Sequence, residues 1–190
     1  MSVYDLILNR RTIRKFEQKP ITDEMMKKYI NAARLAPSAA NRQPLKYVGI
    51  VSKVKVSEVF DNVKWAGYLA PDYNPKENER PTAFIAVCVD NDISKAGYDM
   101  DIGASIENII LTALEDGVGA CWMGAIDKPK ITEILNLPEN LTLSCVVALG
   151  FSAETPKDVE MCDGDVKYYL ENGTLCVPKR SLDEVILEIV

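Results

Sequence analysis

Segments in which apolar residues recur at helical spacing alternate along this chain with segments in which they run almost unbroken, and the two patterns divide it into elements. Val3, Leu6, Ile7 and Leu8 predict a short amphipathic helix over 3–9 that delivers Arg10 and Arg11 at its C-terminal end. Pro20 to Glu24 reads as a turn and an N-cap, either Thr22 or Asp23, with acids in the first helical turn. Met26, Tyr29, Ile30, Ala33 and Leu35 then form an apolar face as far as Ala36, where Pro37 and Ser38 stop the helix. Residues 46–52 are β-branched and aromatic enough for a strand, and a helix follows over 53–64. Thr82 to Asp90 is a near-continuous apolar run, the pattern of a strand buried on both faces and central in its sheet.

A helix starting at Ser94 or Asp99 and ending at Glu115 carries Ile102, Ile106, Ile109, Ile110, Leu111, Ala113 and Leu114 on more than one stripe. It must therefore be buried on more than one side, and a subunit interface is a natural place for the second stripe. Gly117 and Gly119 close that helix and permit unusual backbone angles or the close approach of another group. A short apolar strand or extended loop over 120–125, a helix over 128–135 and a buried strand over 141–150 follow. Residues 152–178 read as loop-rich, with Tyr168, Tyr169 and Leu170 as their apolar cluster, and Ser181 with Glu184 fits a capping box opening a last helix. Residues 65–81 dissolve into Gly, Pro, Asn and Tyr: a long loop or lid, whose Trp65 and Tyr68 either pack underneath or cover a flat ligand. The whole, residues 1–190, reads as one α+β domain around a mixed, largely buried sheet.

Charge and composition narrow the function. With 22 Lys and Arg against 28 Asp and Glu, the net charge is -6, which argues against a protein that coats nucleic acid. A local cluster of arginines in such a chain suits a small anion better than a polyanion. No stretch approaches a membrane span in length, and the N-terminal order of charge is wrong for a secretory signal. Five cysteines lie far apart with no Cys-x-x-Cys pair, so neither zinc nor a disulfide framework is indicated, and the expected compartment is the reduced cytoplasm. The absence of histidine removes the usual general base and every Ser-His or Cys-His nucleophile, leaving the chemistry of any enzyme here to a cofactor.

Two donor clusters flank the second helix. Arg10-Arg11-Thr12-Ile13-Arg14 offers guanidinium groups able to grip a phosphate or carboxylate through paired, charge-assisted bonds. Ala36-Pro37-Ser38-Ala39-Ala40-Asn41-Arg42-Gln43-Pro44 offers short polar side chains and backbone N–H groups in a loop. Together with Gly117-Val118-Gly119-Ala120-Cys121-Trp122-Met123-Gly124 and the closing Lys179-Arg180, these segments resemble the nitroreductase family of FMN-dependent oxidoreductases. The resemblance implies a mostly antiparallel central sheet flanked by helices, in an intertwined homodimer with two FMN molecules at the subunit interface. It also implies roles: Arg10, Arg11, Thr12 and Arg14 at the FMN phosphate and the flavin pyrimidine edge, with Arg14 tuning the reduction potential. Pro37, Ser38, Ala39 and Asn41 would pack on the cofactor from the partner subunit, with Gln43 nearby. Met123 and Gly124 would present backbone groups near flavin N5 and O4, and Lys179 and Arg180 would complete the phosphate site.

The activity implied is hydride transfer from NADH or NADPH to flavin N5 and, after the nicotinamide leaves, on to a small-molecule acceptor such as a nitroaromatic or quinone. Another reaction on the same fold (reductive dehalogenation, flavin fragmentation, heterocycle oxidation) and a flavin-binding protein without turnover are the alternatives.

Overall fold

A strand that is apolar on both sides needs a layer of structure on each, and the run at residues 82–90 therefore decides the architecture. In the computed structural model, which describes residues 2–190, helices α1 (Val3–Asn9) and α2 (Asp23–Arg34) precede strand β1 (Leu45–Ile50) and helix α3 (Lys53–Phe60). Strand β2 (Ala83–Asp90), helix α4 (Asp99–Glu115), strand β3 (Val118–Met123), helix α5 (Lys128–Leu135) and strand β4 (Leu141–Phe151) follow. The chain closes with β5 (Lys157–Glu160), β6 (Tyr169–Glu171), β7 (Thr174–Lys179) and the short α6 (Leu182–Val185). The main sheet runs β1-β2-β4-β3 with every pairing antiparallel. Parallel pairing enters where Thr12 faces Ala120 and where β5 lies on β7, so the sheet system is mixed but mostly antiparallel, as expected.

Strand β2 alternates strictly between two cores. Phe84, Ala86 and Cys88 face a layer containing Val56, Val59, Trp65 and Ile131, while Ile85, Val87 and Val89 face Met26, Tyr29, Ile106 and Ile109. Its partner β4 cannot alternate so simply, because the register shifts by one residue between Val87 and Cys88. That bulge puts Leu143 and Val146 on one face and Cys145 and Val147 on the other, so both strands remain buried on both sides.

Several expectations need correction. Residues 152–178 are loop-rich, but their short segments β5, β7 and β6 pair into a second, three-stranded sheet that was not expected. Its strands are short, and Leu175 and Cys176 are the buried residues among them, so no readable alternation marked them. The four isoleucines of α4 are all buried within the chain's own core, and Leu111 and Leu114 are half-buried. Helix α1 behaves in the opposite way, burying Leu6 alone and leaving Val3, Tyr4, Ile7 and Leu8 exposed. At α6 the Ser181 hydroxyl accepts the Glu184 N–H at 3.2 Å, but the Glu184 carboxylate pairs with Arg180 instead of completing the box. Elsewhere the caps agree: Thr22, not Asp23, caps α2, accepting the Met25 N–H at 3.2 Å.

The glycines of the β3–β4 pair set up everything that follows. Gly119 and Gly150 are register partners, and the extended chain after α1 lies across them. A methyl group on Gly119 would stand 2.6 Å from the Ile13 side chain, and one on Gly150 would stand 2.9 Å from Phe16. Both distances are impossible contacts, so the absence of Cβ at two facing positions creates the groove in which Ile13 and Phe16 are buried. Gly119→Ala is therefore expected to destabilise the fold by about 1–3 kcal/mol, as overpacking does, read as a lowered urea midpoint with unchanged slope. A second expectation concerns the thiols. Cys88, Cys121, Cys145 and Cys176 are buried, and burial pushes the first two up to about 11. Cys162 alone is exposed, so a thiol reagent at pH 8 should modify one cysteine in the native protein and all five after denaturation.

Candidate functional site

Helix α1 stops at Asn9, and Arg10 already has extended backbone angles. From there the chain is stitched to two strand ends: the Ile13 N–H donates to the Ala120 carbonyl at 2.9 Å and the Glu17 N–H to that of Phe151 at 2.8 Å. The Ala153 N–H returns a bond to the Lys15 carbonyl at 2.9 Å. With Ile13 and Phe16 committed to the glycine groove, the arginines project elsewhere, and each finds a different partner. Arg10 Nε lies 3.7 Å from the Glu107 carboxylate on α4. Arg11 pairs through Nη2 with Asp158 on β5 and donates Nη1 to the Arg10 carbonyl at 2.5 Å, while its Nε is buried with no acceptor. The Arg14 guanidinium stands 4.7 Å over the ring of Tyr168.

One carboxylate holds this stretch in place. Glu154, just beyond β4, accepts the Arg14 N–H at 2.5 Å and the Lys15 N–H at 3.1 Å, and the Tyr73 hydroxyl donates to its second oxygen. Burial, followed by the bond to Glu154, raises the Tyr73 phenol above its ordinary value and keeps it a neutral donor. Tyr73 belongs to the 65–81 excursion, which is pinned down rather than standing free. Trp65 is buried against Phe60 and Phe16, ring centroids 5.5 and 6.5 Å away, and Tyr68 packs on Tyr168 at 4.9 Å. Of the two readings of these aromatics, Trp65 follows the first and packs underneath.

The second donor cluster is held from α4. Asp101, buried in the first turn of that helix, accepts the Ser38 hydroxyl at 2.7 Å and the Ala39 N–H at 3.0 Å. Ser38 Oγ in turn accepts the Gln43 N–H at 2.9 Å, and the Gln43 amide bonds Asn41 Oδ1 at 3.1 Å. Between them the backbone turns sharply, with φ of 52° at Ala40, 52° at Asn41 and 53° at Gln43. Left-handed angles at Ala and Gln cost energy, and their persistence here marks a loop whose shape is imposed by its anchors.

The two clusters line different cavities. Arg10, Arg11 and Ile13 border one of about 160 Å³, floored by Ile110, Leu114 and Val118 and closed by Glu154. Pro37, Ser38 and Gln43 border another of about 210 Å³ with Tyr47, Asp101 and Ser105. No residue belongs to both, so within one chain they are not two walls of a single site. The remaining expected residues do not themselves line either cavity. Met123 is buried at the end of β3, Gly124 is exposed after it, and Thr12 forms the bridge to Ala120. Lys179 does approach the first cluster: β7 pairs with β5, and its ammonium, after Arg11 itself, helps hold the Asp158 carboxyl below its ordinary value. That carboxyl is 58% exposed, so the Arg11 pair contributes under about 1 kcal/mol; the contribution is present at neutral pH and fades as pH falls below 3.8. Arg180 is engaged with Glu184 on the following helix. Asp101, Glu107, Glu154, Asp158 and Tyr168 were not among the expected residues, because each acts through a contact distant in sequence that no local pattern announces.

A family model described as the nitroreductase family matches residues 7–151. The chain belongs to the nitroreductase family. A provisionally named NADH dehydrogenase/NAD(P)H nitroreductase of Archaeoglobus fulgidus is 36% identical over 163 residues, covering 80% of this chain and 84% of that one. The NADPH-flavin oxidoreductase of Vibrio harveyi is 27% identical over 169 residues, covering 80% and 67%. A provisionally named nitroreductase of Desulfovibrio desulfuricans, solved in complex with FMN, shares the fold with a TM-score of 0.73 at 22% identity, over 100% of this chain and 98% of that one.

For this nitroreductase-family chain the role of Glu154 can be tested directly. Glu154→Ala leaves two backbone N–H groups and the Tyr73 hydroxyl without their acceptor. A loss of about 1–3 kcal/mol in chemical denaturation is expected, with Glu154→Gln losing less because its amide oxygen still accepts.

Proposed function

We propose that the chain is an FMN-dependent NAD(P)H oxidoreductase, a homodimer whose two cofactor sites are each built from both subunits. Arg11 carries the reading: this cavity-lining residue keeps a buried Nε–H with no protein acceptor, in a family whose relatives include a flavin oxidoreductase. A buried donor without an acceptor costs about 1–3 kcal/mol, and an anion oxygen recovers it. The residues present therefore suit the phosphate end of FMN. Arg10 and Arg11 would hold the dianion, with Thr12 beside them and Lys179 and Arg180 arriving from the chain's other end. Arg14 would lie at the pyrimidine edge, where a fixed cation raises the reduction potential of the cofactor. Met123 and Gly124 would offer backbone groups on the other side of the ring.

Cavity size supports a shared site. Whole-ligand pockets are usually about 300 Å³ or more, and neither cavity here reaches that volume. Each is a half-site to be completed by the other half of a second copy, Pro37, Ser38, Ala39, Asn41 and Gln43 facing the partner's flavin. The exposed apolar side of α1, which runs up to Arg10, is a surface such a partner would cover. When bound, FMN supplies the redox chemistry, accepting a hydride from NADH or NADPH and passing it to a small acceptor of the nitroaromatic or quinone class. The protein contributes binding, orientation and a fixed positive field, and no histidine is needed for the first step.

Purified protein is expected to show the visible bands of oxidised flavin, to bleach anaerobically with NADH or NADPH, and to recover its colour with a nitroaromatic or quinone. Colourless protein that gains no thermal stability from FMN would refute the reading, as would a bound flavin that neither nicotinamide reduces. Mixing an Arg10→Ala, Arg14→Ala subunit with an Asn41→Ala subunit should restore one intact flavin site per heterodimer; no recovery would rule out shared sites.

A further inference from the structure

The three-stranded sheet β5-β7-β6 lies beyond residues 7–151, the segment matched by the family model, yet it reaches back to both central arginines. Asp158 on β5 takes Nη2 of Arg11, and Tyr168, immediately before β6, lies under the guanidinium of Arg14 at 4.7 Å. The sheet is not loosely hung. Leu175 and Cys176 of β7 are fully buried, Leu175 enters the core beside Ile13 and Phe16, and the Tyr168 hydroxyl accepts the Tyr68 N–H at 3.3 Å.

We propose that this sheet is the positioning element of the cofactor site: Asp158 aims Arg11 at the FMN phosphate, and Tyr168 holds Arg14 at the pyrimidine edge. Resting on the FMN reading above, the assignment predicts that Asp158 governs discrimination between FMN and riboflavin, which lacks the phosphate. The geometry of Arg11 supplies the reason. A guanidinium is a rigid plane, and two of its three nitrogens are already engaged, Nη1 by the Arg10 carbonyl and Nη2 by Asp158. Fixing two edges fixes the direction of the third, so the unpartnered Nε–H is pre-aimed, and the rotamer freedom of a long side chain is lost before the ligand arrives. Arg14 has no carboxylate within ion-pair distance among the described residues, so the face of Tyr168 restrains its cation without neutralising it.

An alternative sign exists and makes the idea testable. If Asp158 merely competed with phosphate for Arg11, its removal would tighten FMN binding. The test uses full-length protein stripped of flavin, with dissociation constants for FMN and riboflavin taken from flavin fluorescence. Asp158→Asn is expected to weaken FMN binding about tenfold, the equivalent of ordering one long side chain, while riboflavin binding stays unchanged. Asp158→Glu should recover most of the loss. Tyr168→Ala is expected to weaken both flavins alike and to lower the midpoint potential of bound FMN, with Tyr168→Phe restoring both because the ring remains. FMN binding that is unchanged or tighter in Asp158→Asn overturns the proposal, as does an equal loss of riboflavin, which would indicate general damage. A Tyr168→Ala potential equal to wild type overturns the Arg14 half. Wild-type protein that binds neither flavin would fail the parent reading, a result distinct from all of these.

Discussion

Everything distinctive about the arginine cluster depends on a missing pair of methyl groups. Gly119 and Gly150 face each other across β3 and β4, and only their lack of Cβ lets Ile13 and Phe16 sit against the sheet. Burying an Ile and a Phe side chain stabilises by about 1.5–3 kcal/mol each, which adds to the backbone bonds that tie this extended segment to Ala120 and Phe151. With those two residues directed inward, Arg10, Arg11 and Arg14 must point elsewhere. Core packing, rather than attraction to a ligand, is what first aims the cations.

The second constraint is electrostatic. A chain of net charge -6 that gathers cations at one place surrounds them with acids: Glu107 near Arg10, Asp158 on Arg11 and Glu79 3.6 Å from Lys15. These pairs are partly exposed and individually weak, which would suit the proposed phosphate site. A fully buried ion pair would hold an arginine too firmly and leave an uncompensated charge when disrupted. Glu154 has a different task, since its partners are backbone N–H groups and a phenol and it never competes for a guanidinium. The acids of the site thus divide into those that aim side chains and one that fixes the backbone beneath them.

How much of this was legible in the sequence follows from the range of each interaction. Strand β2 and helices α2 and α4 were readable because their burial is written in their own periodicity; Gly117 and Gly119 were read together as a helix stop permitting close approach, and the structure gives the close approach to Gly119. The arginine and Pro37–Gln43 clusters were readable as donors from their residue types, and their assignment to different sites came from the family resemblance, with which two cavities sharing no lining residue agree. The sheet formed by β5, β6 and β7 was missed because strands of three to six residues are too short to carry a readable alternation and draw their stability from what they pack against. Asp158 and Tyr168 were lost with it.

The separation of the two clusters is itself informative about assembly. A two-fold interface brings the same patch of each subunit together, so a chain carrying two complementary half-sites can complete both at once only if each half meets its complement across the axis. Cavities of about 160 and 210 Å³ with no shared residue are what one copy of such a pair would display. Helix α4 ties to both, Glu107 reaching Arg10 and Asp101 reaching Ser38 and Ala39. The two clusters thus contact one helix at positions six residues apart in sequence. A loop held at strained left-handed angles by a buried carboxylate is costly for a chain acting alone. It is reasonable in a chain whose loop must match a site on a second copy.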